Sequence, residues 1–195
     1  MIQRVRIDEI KNIYDYENIR VEFRKGIIEL KKKRRLSAGE RIGLVFEDHQ
    51  TVLYQIQEMI RTERLVQPAA IQDEIEVYNG ILPDENELSA TFFIEIDQSE
   101  DIKPWLDKLH GIDNGKCVWM ELNQEKIFAR FEEGHSNEEK LSSVHYVRFA
   151  FTPSAKEIFL DPSQRVYLHV QHPAYRAKIE IQSELRKQLI NDLSS

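Results

Sequence analysis

Histidine and carboxylate side chains are the groups in this sequence that could carry out chemistry. His145 falls on the apolar face of a predicted strand, His172 follows another strand, and Glu63 falls inside the apolar arc of a predicted helix. Two imidazoles and one carboxylate can bind a divalent metal such as zinc, iron or manganese. These three residues are therefore a candidate metal site, and Glu63, His145 and Arg61 are candidate groups for acid–base catalysis.

Each of these residues also has a structural interpretation. A histidine on an apolar face is often a core residue whose ring nitrogens are hydrogen-bonded. A carboxylate such as Glu63 can form a salt bridge, or lie where the helix end leaves the core. The spacings H-E-x-x-H and C-x-x-C are absent, so no motif decides between a metal site and a structural role.

The helix predicted from about His49 to Leu65 positions most of these groups. Its apolar residues fall within an arc of about 120° when each residue advances by 100°, and Tyr54, Glu58 and Arg61 fall opposite. Asp48 is expected to cap this helix at a strand-to-helix junction that also holds Glu47 and His49. The polar residues of the helix are a candidate surface for binding a partner protein; they are Gln55, Gln57, Glu58 and Arg61.

Periodicity and turn residues predict the remaining elements. Further helices are expected from residue 15 to an end at 37–39, and over 69–78, 101–109, 153–160 and 183–193; strands are expected over 41–46, 88–97, 116–122, 126–131, 143–151, 165–171 and 177–182. A polar loop that contains His135 is expected over 134–140. The sum is an α+β fold with N-terminal helices packed on a largely antiparallel sheet of five or six strands, followed by a C-terminal helix. We expect a single domain over 1–195, helical over 1–80 and strand-rich over 81–195, with a soft boundary near 80–87.

Composition excludes several classes of protein. The chain has 195 residues, 41% of them apolar, and a net charge of -7, which does not fit a disordered chain. No run of about 18 apolar residues exists, and the charged N-terminus lacks a signal-peptide stretch, so a cytoplasmic location without membrane insertion is expected. A single cysteine, Cys117, excludes an iron–sulfur cluster held within the chain. Neither G-x-G-x-x-G nor G-x-x-x-x-G-K-[ST] is present, so no nucleotide cofactor is expected.

The charge is distributed unevenly along the chain. Residues 1–41 hold 12 Lys and Arg against 7 Asp and Glu, a balance of +5, and the remaining 154 residues have a balance of -12. The basic run Lys31–Arg35 is explained by a solvated helix end, by a phosphate-rich partner or by docking to an acidic protein. Overall acidity makes nucleic-acid binding the weakest of these. A basic helical arm on an acidic body could also pair within the chain or form a homodimer.

Several motifs resemble those of one protein family. They lie at Tyr16–Arg20 (Y-E-N-I-R), in the basic run after Leu30, at Phe46–Arg64 (F-E-D-H-Q-T-V-L-Y-Q-I-Q-E-M-I-R-T-E-R), at Ser89–Glu95, at Ser142–Phe149 and at His172–Glu180. In order and spacing they cover nearly the whole chain, which resembles the bacterial Domain of Unknown Function 3501 family. The long central motif is the most specific of them.

The resemblance implies a context more than a chemistry. Genes of this family are often found near those for rubrerythrin and for an iron–sulfur oxidoreductase related to heterodisulfide reductase, which implies a redox or peroxide-stress setting. The first hypothesis is therefore a non-enzymatic accessory or docking protein whose partner is one of those two proteins. The alternative is a metal-dependent or acid–base enzyme that acts on a small substrate through Glu63, His145 and His172.

Overall fold

The computed structural model describes residues 3–132 and 141–194, which form six α-helices and nine β-strands. The helices are α1 (Ile13–Lys33), α2 (His49–Glu63), α3 (Pro68–Asn79), α4 (Ser99–Lys108), α5 (Pro153–Leu160) and α6 (Ser183–Ser194). The strands are β1 (Arg35–Ala38), β2 (Ile42–Phe46), β3 (Glu87–Ile94), β4 (Val118–Leu122), β5 (Glu125–Phe128), β6 (Arg130–Phe131), β7 (Val144–Ala150), β8 (Val166–His172) and β9 (Tyr175–Glu180). A 3-10 turn at Ile7–Glu9 precedes α1. The loop predicted over 134–140, with His135, lies outside the described residues.

The strands form two antiparallel sheets. One has the order β1-β2-β3-β7-β6 and the other β5-β4-β8-β9. The α+β class, the antiparallel pairing and the C-terminal helix are therefore confirmed, and the strands divide between two sheets. The division occurs at Ala129, where the stretch predicted as one strand leaves β5 and continues as β6 in the other sheet. The N–H of Ala129 still donates to the Val118 carbonyl at 2.9 Å, which holds the crossing point against β4.

Apolar side chains from both sheets form one buried cluster with α5 and α6. In β7 the alternation is as predicted, because His145, Val147 and Phe149 are buried on the side that faces this cluster. Tyr146 lies on the opposite side of β7 and packs against a second cluster, formed by α2, α3 and the N-terminal segment. Val52, Ile56 and Ile60 of α2 belong to that second cluster, as the predicted apolar arc of this helix requires.

The end of α1 differs from its prediction. The helix ends at Lys33, and the chain then forms β1, which pairs with β2; the helix end predicted at 37–39 is therefore wrong. A strand forms here instead of a longer helix because Leu36 and Ala38 alternate with exposed neighbours and become buried in the core. Gly39 turns the chain back with a φ of +78°, and a side chain there would collide with the Tyr175 hydroxyl.

Within the described residues, no helix is both long enough and apolar enough to cross a bilayer.

Candidate functional site

The structure does not bring the three predicted metal ligands together. His145 is buried in β7, its Nε2 lies 2.8 Å from the Ser142 carbonyl oxygen, and its ring contacts Phe92 edge to face. His172 ends β8 in the other sheet, and Glu63 is exposed at the last turn of α2. Among residues 3–132 and 141–194, no group of three or more His, Cys, Asp or Glu side chains is placed to hold a metal ion.

The surroundings of these side chains explain why. Both ring nitrogens of His172 are used, because Nε2 donates to the His110 carbonyl at 3.1 Å and Nδ1 accepts the Ala174 N–H at 3.2 Å. A neutral imidazole whose lone pair already accepts a hydrogen bond has none left for a metal. Glu63 falls on the apolar arc of α2, but it is the last residue of the helix, and the next residue, Arg64, has a φ of 54°. The end of the helix therefore leaves the Glu63 carboxylate in solvent.

The predicted partner surface on α2 is mostly used within the chain. Gln57 is buried and bonds both the N–H and the carbonyl of Lys11, at 2.9 and 2.8 Å, which fastens the N-terminal segment to α2. Glu58 is half-buried between α1 and α2, and Gln55 donates to the Glu47 carboxylate at 3.0 Å. Of these four residues, Arg61 lines a groove, and its Nε donates to Glu17 at 2.6 Å.

Glu58 is held as a carboxylate by α1. It accepts hydrogen bonds from the Arg20 guanidinium at 2.8 and 2.9 Å and from the Tyr16 hydroxyl at 2.6 Å. The hydrogen bond from Arg20 is the largest influence and lowers the pKa of Glu58 to about 2, against the opposing effect of burial. Burial and the neighbouring Glu58 carboxylate raise the pKa of Tyr16, so the phenol stays a donor. This cluster ties α1 to α2 while Glu58 is ionised.

We expect this contact to be lost in acid. A carboxyl whose pKa is depressed in the folded state stabilises the protein above its unfolded pKa of about 4.3 and loses that contribution as the pH falls toward 2. Glu58→Gln should therefore lower the free energy of unfolding by about 1–3 kcal/mol at neutral pH, and by much less near pH 2.5, in urea unfolding measured at both pH values. The exposed Glu63 on the same helix is the control, because Glu63→Gln should change stability by less than about 0.5 kcal/mol. An equal loss from Glu58→Gln at both pH values would contradict the assignment.

A groove of about 840 Å³ lies where the N-terminal segment, the start of α1, the end of α2 and the start of α3 meet. Half of its lining residues are aliphatic, among them Ile10, Ile13, Ile60, Leu65 and Ile71. The second apolar cluster of the fold provides this lining, since Ile60 is one of its buried members and the others pack against it. The groove is therefore an open edge of the core.

The groove lining carries more positive than negative charge. Lys11, Arg61 and Arg64 line it, and the one acidic residue of the lining is Glu17, which is paired with Arg61. Among the described residues, neither Lys11 nor Arg64 has a carboxylate within ion-pair distance. A groove lined by aliphatic side chains and by cations without a carboxylate partner suits a ligand that combines aliphatic groups with carboxylates.

Comparison with known proteins assigns the family of this chain. A family model described as "Protein of unknown function (DUF3501)" matches residues 4–193. The chain belongs to the DUF3501 family. No protein of curated function matches it significantly. Among solved structures, it is similar to a crystal structure described as a novel protein of unknown function from Burkholderia pseudomallei K96243, with 28% sequence identity and a TM-score of 0.89, over 98% of this chain and 100% of the other.

Part of the DUF3501 motif at Phe46–Arg64 serves a buried polar network. The Glu47 side chain is buried and accepts from the Thr51 and Thr91 hydroxyls, both at 2.5 Å, and from Gln55. Asp48 caps α2 as predicted, because its carboxylate accepts the Thr51 N–H at 2.9 Å. In the sequence, the only sign that Glu47 is special is its position at a strand-to-helix junction. The sequence could not show that Thr91 of β3 would donate a hydrogen bond to it.

A second buried network starts in the basic run. The Arg34 side chain is 1% exposed and donates to the carbonyls of Phe46 and Glu47, at 2.7 and 3.1 Å. It also pairs with Asp48 at 3.3 Å and with Asp192 of α6 at 2.5 Å. Burial raises the pKa of Asp192, and the positive charge of Arg34 opposes that shift. Arg34 is therefore a member of the basic run Lys31–Arg35 that pairs with carboxylates of the same chain.

Proposed function

We propose that this DUF3501 protein is a non-enzymatic accessory protein that docks a partner in the groove between α1, α2 and α3. The observation that carries the proposal is an open groove lined by aliphatic side chains and by cations, of which Lys11 and Arg64 lack carboxylate partners in the described chain. Aliphatic side chains of a partner would bury apolar surface there, and neighbouring Asp or Glu side chains would pair with these cations. The expected ligand is therefore a segment of a partner protein that is apolar and flanked by acidic residues.

The partner class follows from the setting that the family implies. We propose an iron–sulfur oxidoreductase or a rubrerythrin, in which case the redox chemistry resides in the partner. The single thiol of this chain fits that division, because Cys117 is buried and burial raises its pKa, which lowers the thiolate fraction at neutral pH. Docking would bring this chain to the redox centre of its partner.

Two valines offer a matched test of the groove. Val66 lines the groove and Val77 lies outside it on α3, and each is 70% exposed. Binding of the purified oxidoreductase and of the purified rubrerythrin is measured by titration calorimetry. Val66→Asp places a carboxylate in the apolar lining and should weaken binding at least tenfold, or by about 1.4 kcal/mol, whereas Val77→Asp should leave the dissociation constant unchanged.

Two results would count against the proposal. If the wild-type protein binds neither partner at concentrations of about 100 µM, where a complex of modest affinity would be populated, the partner assignment is wrong. If binding occurs but Val66→Asp and Val77→Asp weaken it equally, the groove is not the docking site.

A further inference from the structure

A second apolar stripe of α1 faces solvent. Tyr14 is 86% exposed, Val21 74% and Ile28 45%, and the three are separated by seven residues each. Seven residues are close to two turns of a helix, so these side chains lie in one line along it. The same helix buries Tyr16 and Ile27 on a different side. Helix α1 therefore has two separate apolar faces, roughly 130° apart at 100° per residue, and the fold covers one of them.

The charges of α1 are divided between its two halves. Residues 13–22 contain Asp15, Glu17 and Glu22 against one cation, whereas residues 24–33 contain five cations against one acidic residue. Parallel pairing of two such helices would place the basic halves together. Antiparallel pairing places the acidic half of each helix against the basic half of the other, so the helix is complementary to itself in that orientation.

We propose that the exposed stripe of α1 is a homodimer interface in which two copies of α1 pair antiparallel about a two-fold axis at Val21. In this arrangement Val21 meets Val21 of the second copy, and Tyr14 lies level with Ile28 of the second copy. The interface meets the groove at Tyr14 and Glu17, which line both, but its axis at Val21 and its far end at Ile28 lie outside the groove.

Residues beside the stripe support the two-fold register. At 100° per residue, Glu17 and Arg24 fall on the same side of the line from Tyr14 to Ile28. A two-fold axis through Val21 brings Glu17 of one copy within one residue of the level of Arg24 of the other, twice in each dimer. Arg24 is exposed, and the described residues offer it no carboxylate at ion-pair distance. The second copy supplies one.

The length of the stripe sets the expected strength. From Tyr14 to Ile28 it spans about 21 Å, and a single helix pair of that length buries less than the roughly 800 Å² per partner of a standard interface. The dimer is therefore expected to dissociate on dilution, with a dissociation constant in the range of about 10–100 µM.

Disulfide trapping tests the axis directly. In the full-length chain, Val21→Cys should give a covalent dimer on mild oxidation, seen on a non-reducing gel and reversed by reductant, because a residue on a two-fold axis meets its own copy. Val77→Cys is the matched control, since Val77 is 70% exposed on α3; it should cross-link at least tenfold more slowly. Cys117 is buried and present in both variants. Equal cross-linking of the two variants would overturn the axis.

Sedimentation equilibrium tests the charge pairing independently. Arg24→Glu should raise the dimer dissociation constant at least tenfold, and Arg24→Glu combined with Glu17→Arg should restore it to within threefold of wild type. Glu17→Arg alone also removes the hydrogen bond between Glu17 and Arg61. The single variant is therefore measured as well, so that the effect of losing this bond can be subtracted from that of the double variant. A wild-type protein that stays monomeric at about 500 µM, or a double variant that regains nothing, would overturn the proposal. Val66→Asp should leave self-association unchanged while weakening partner docking, which separates the two proposals.

Discussion

Replacing Arg34 with alanine is expected to lower the free energy of unfolding by about 3–5 kcal/mol, because it removes the buried cation that pairs with two largely buried carboxylates. The guanidinium donates hydrogen bonds to the Phe46 and Glu47 carbonyls and pairs with the carboxylates of Asp48 and Asp192. The Arg34 side chain is 1% exposed, so the guanidinium itself is shielded from solvent. The loss is measured by urea unfolding near pH 7, with the slope of the transition checked against wild type.

The next residue in the sequence is the control. Arg35 also pairs with a carboxylate, that of Glu95, but the two side chains are 37% and 39% exposed. Arg35→Ala should therefore lower the free energy of unfolding by only about 0–1 kcal/mol. Arg34→Lys should recover little of the loss, because an ammonium cannot reproduce the fork of a guanidinium. If Arg34→Ala and Arg35→Ala have similar effects, the pairs of Arg34 with Asp48 and Asp192 do not stabilise the contact of α1 with α2 and α6.

This contrast between neighbours shows where sequence reasoning succeeds and where it stops. Residues 31–35 are five cations in a row, and residue type cannot tell which of them is buried. The distinction is tertiary, because Arg34 follows the end of α1 at the point where β2 and α6 meet it. Helix α2 was predictable since its apolar arc and its Asp48 cap are both local in sequence, and so was the buried face of β7, which follows from alternation.

The groove could not have been predicted in the same way. It requires the 3-10 turn, the start of α1, the end of α2 and the start of α3 to meet, and no periodicity within one segment records that meeting. The α1 stripe is different, because Tyr14, Val21 and Ile28 share a heptad spacing that is visible in the sequence. The stripe formed by the buried side of the same helix is more apolar, and only the structure shows that the weaker stripe stays uncovered.

The buried carboxylate of Glu47 gives the second large effect. Glu47→Ala is expected to lower the free energy of unfolding by about 2–4 kcal/mol, because each buried donor that loses its acceptor costs about 1–3 kcal/mol. The donors are the hydroxyls of Thr51 and Thr91, which reach the carboxylate from α2 and β3. Thr91→Val removes one donor and should cost less, because the carboxylate keeps Thr51 and Gln55. The urea transitions of wild type, both single variants and the double variant measure these values.

The double variant distinguishes a structural role of Glu47 from a functional one. If the network serves the fold, the two losses overlap, and the combined variant should be less destabilised than the sum by about 1–2 kcal/mol of coupling. A buried carboxylate retained for function at the expense of stability behaves in the opposite way, because its removal stabilises the protein. A Glu47→Ala protein that unfolds at a higher urea concentration than wild type would therefore point to an acid–base or ligand-binding role for Glu47. If Glu47→Ala destabilises the protein and the double variant is less destabilised than the sum, Glu47 has a structural role at the junction of β2 and α2. The groove then remains the place where a partner binds.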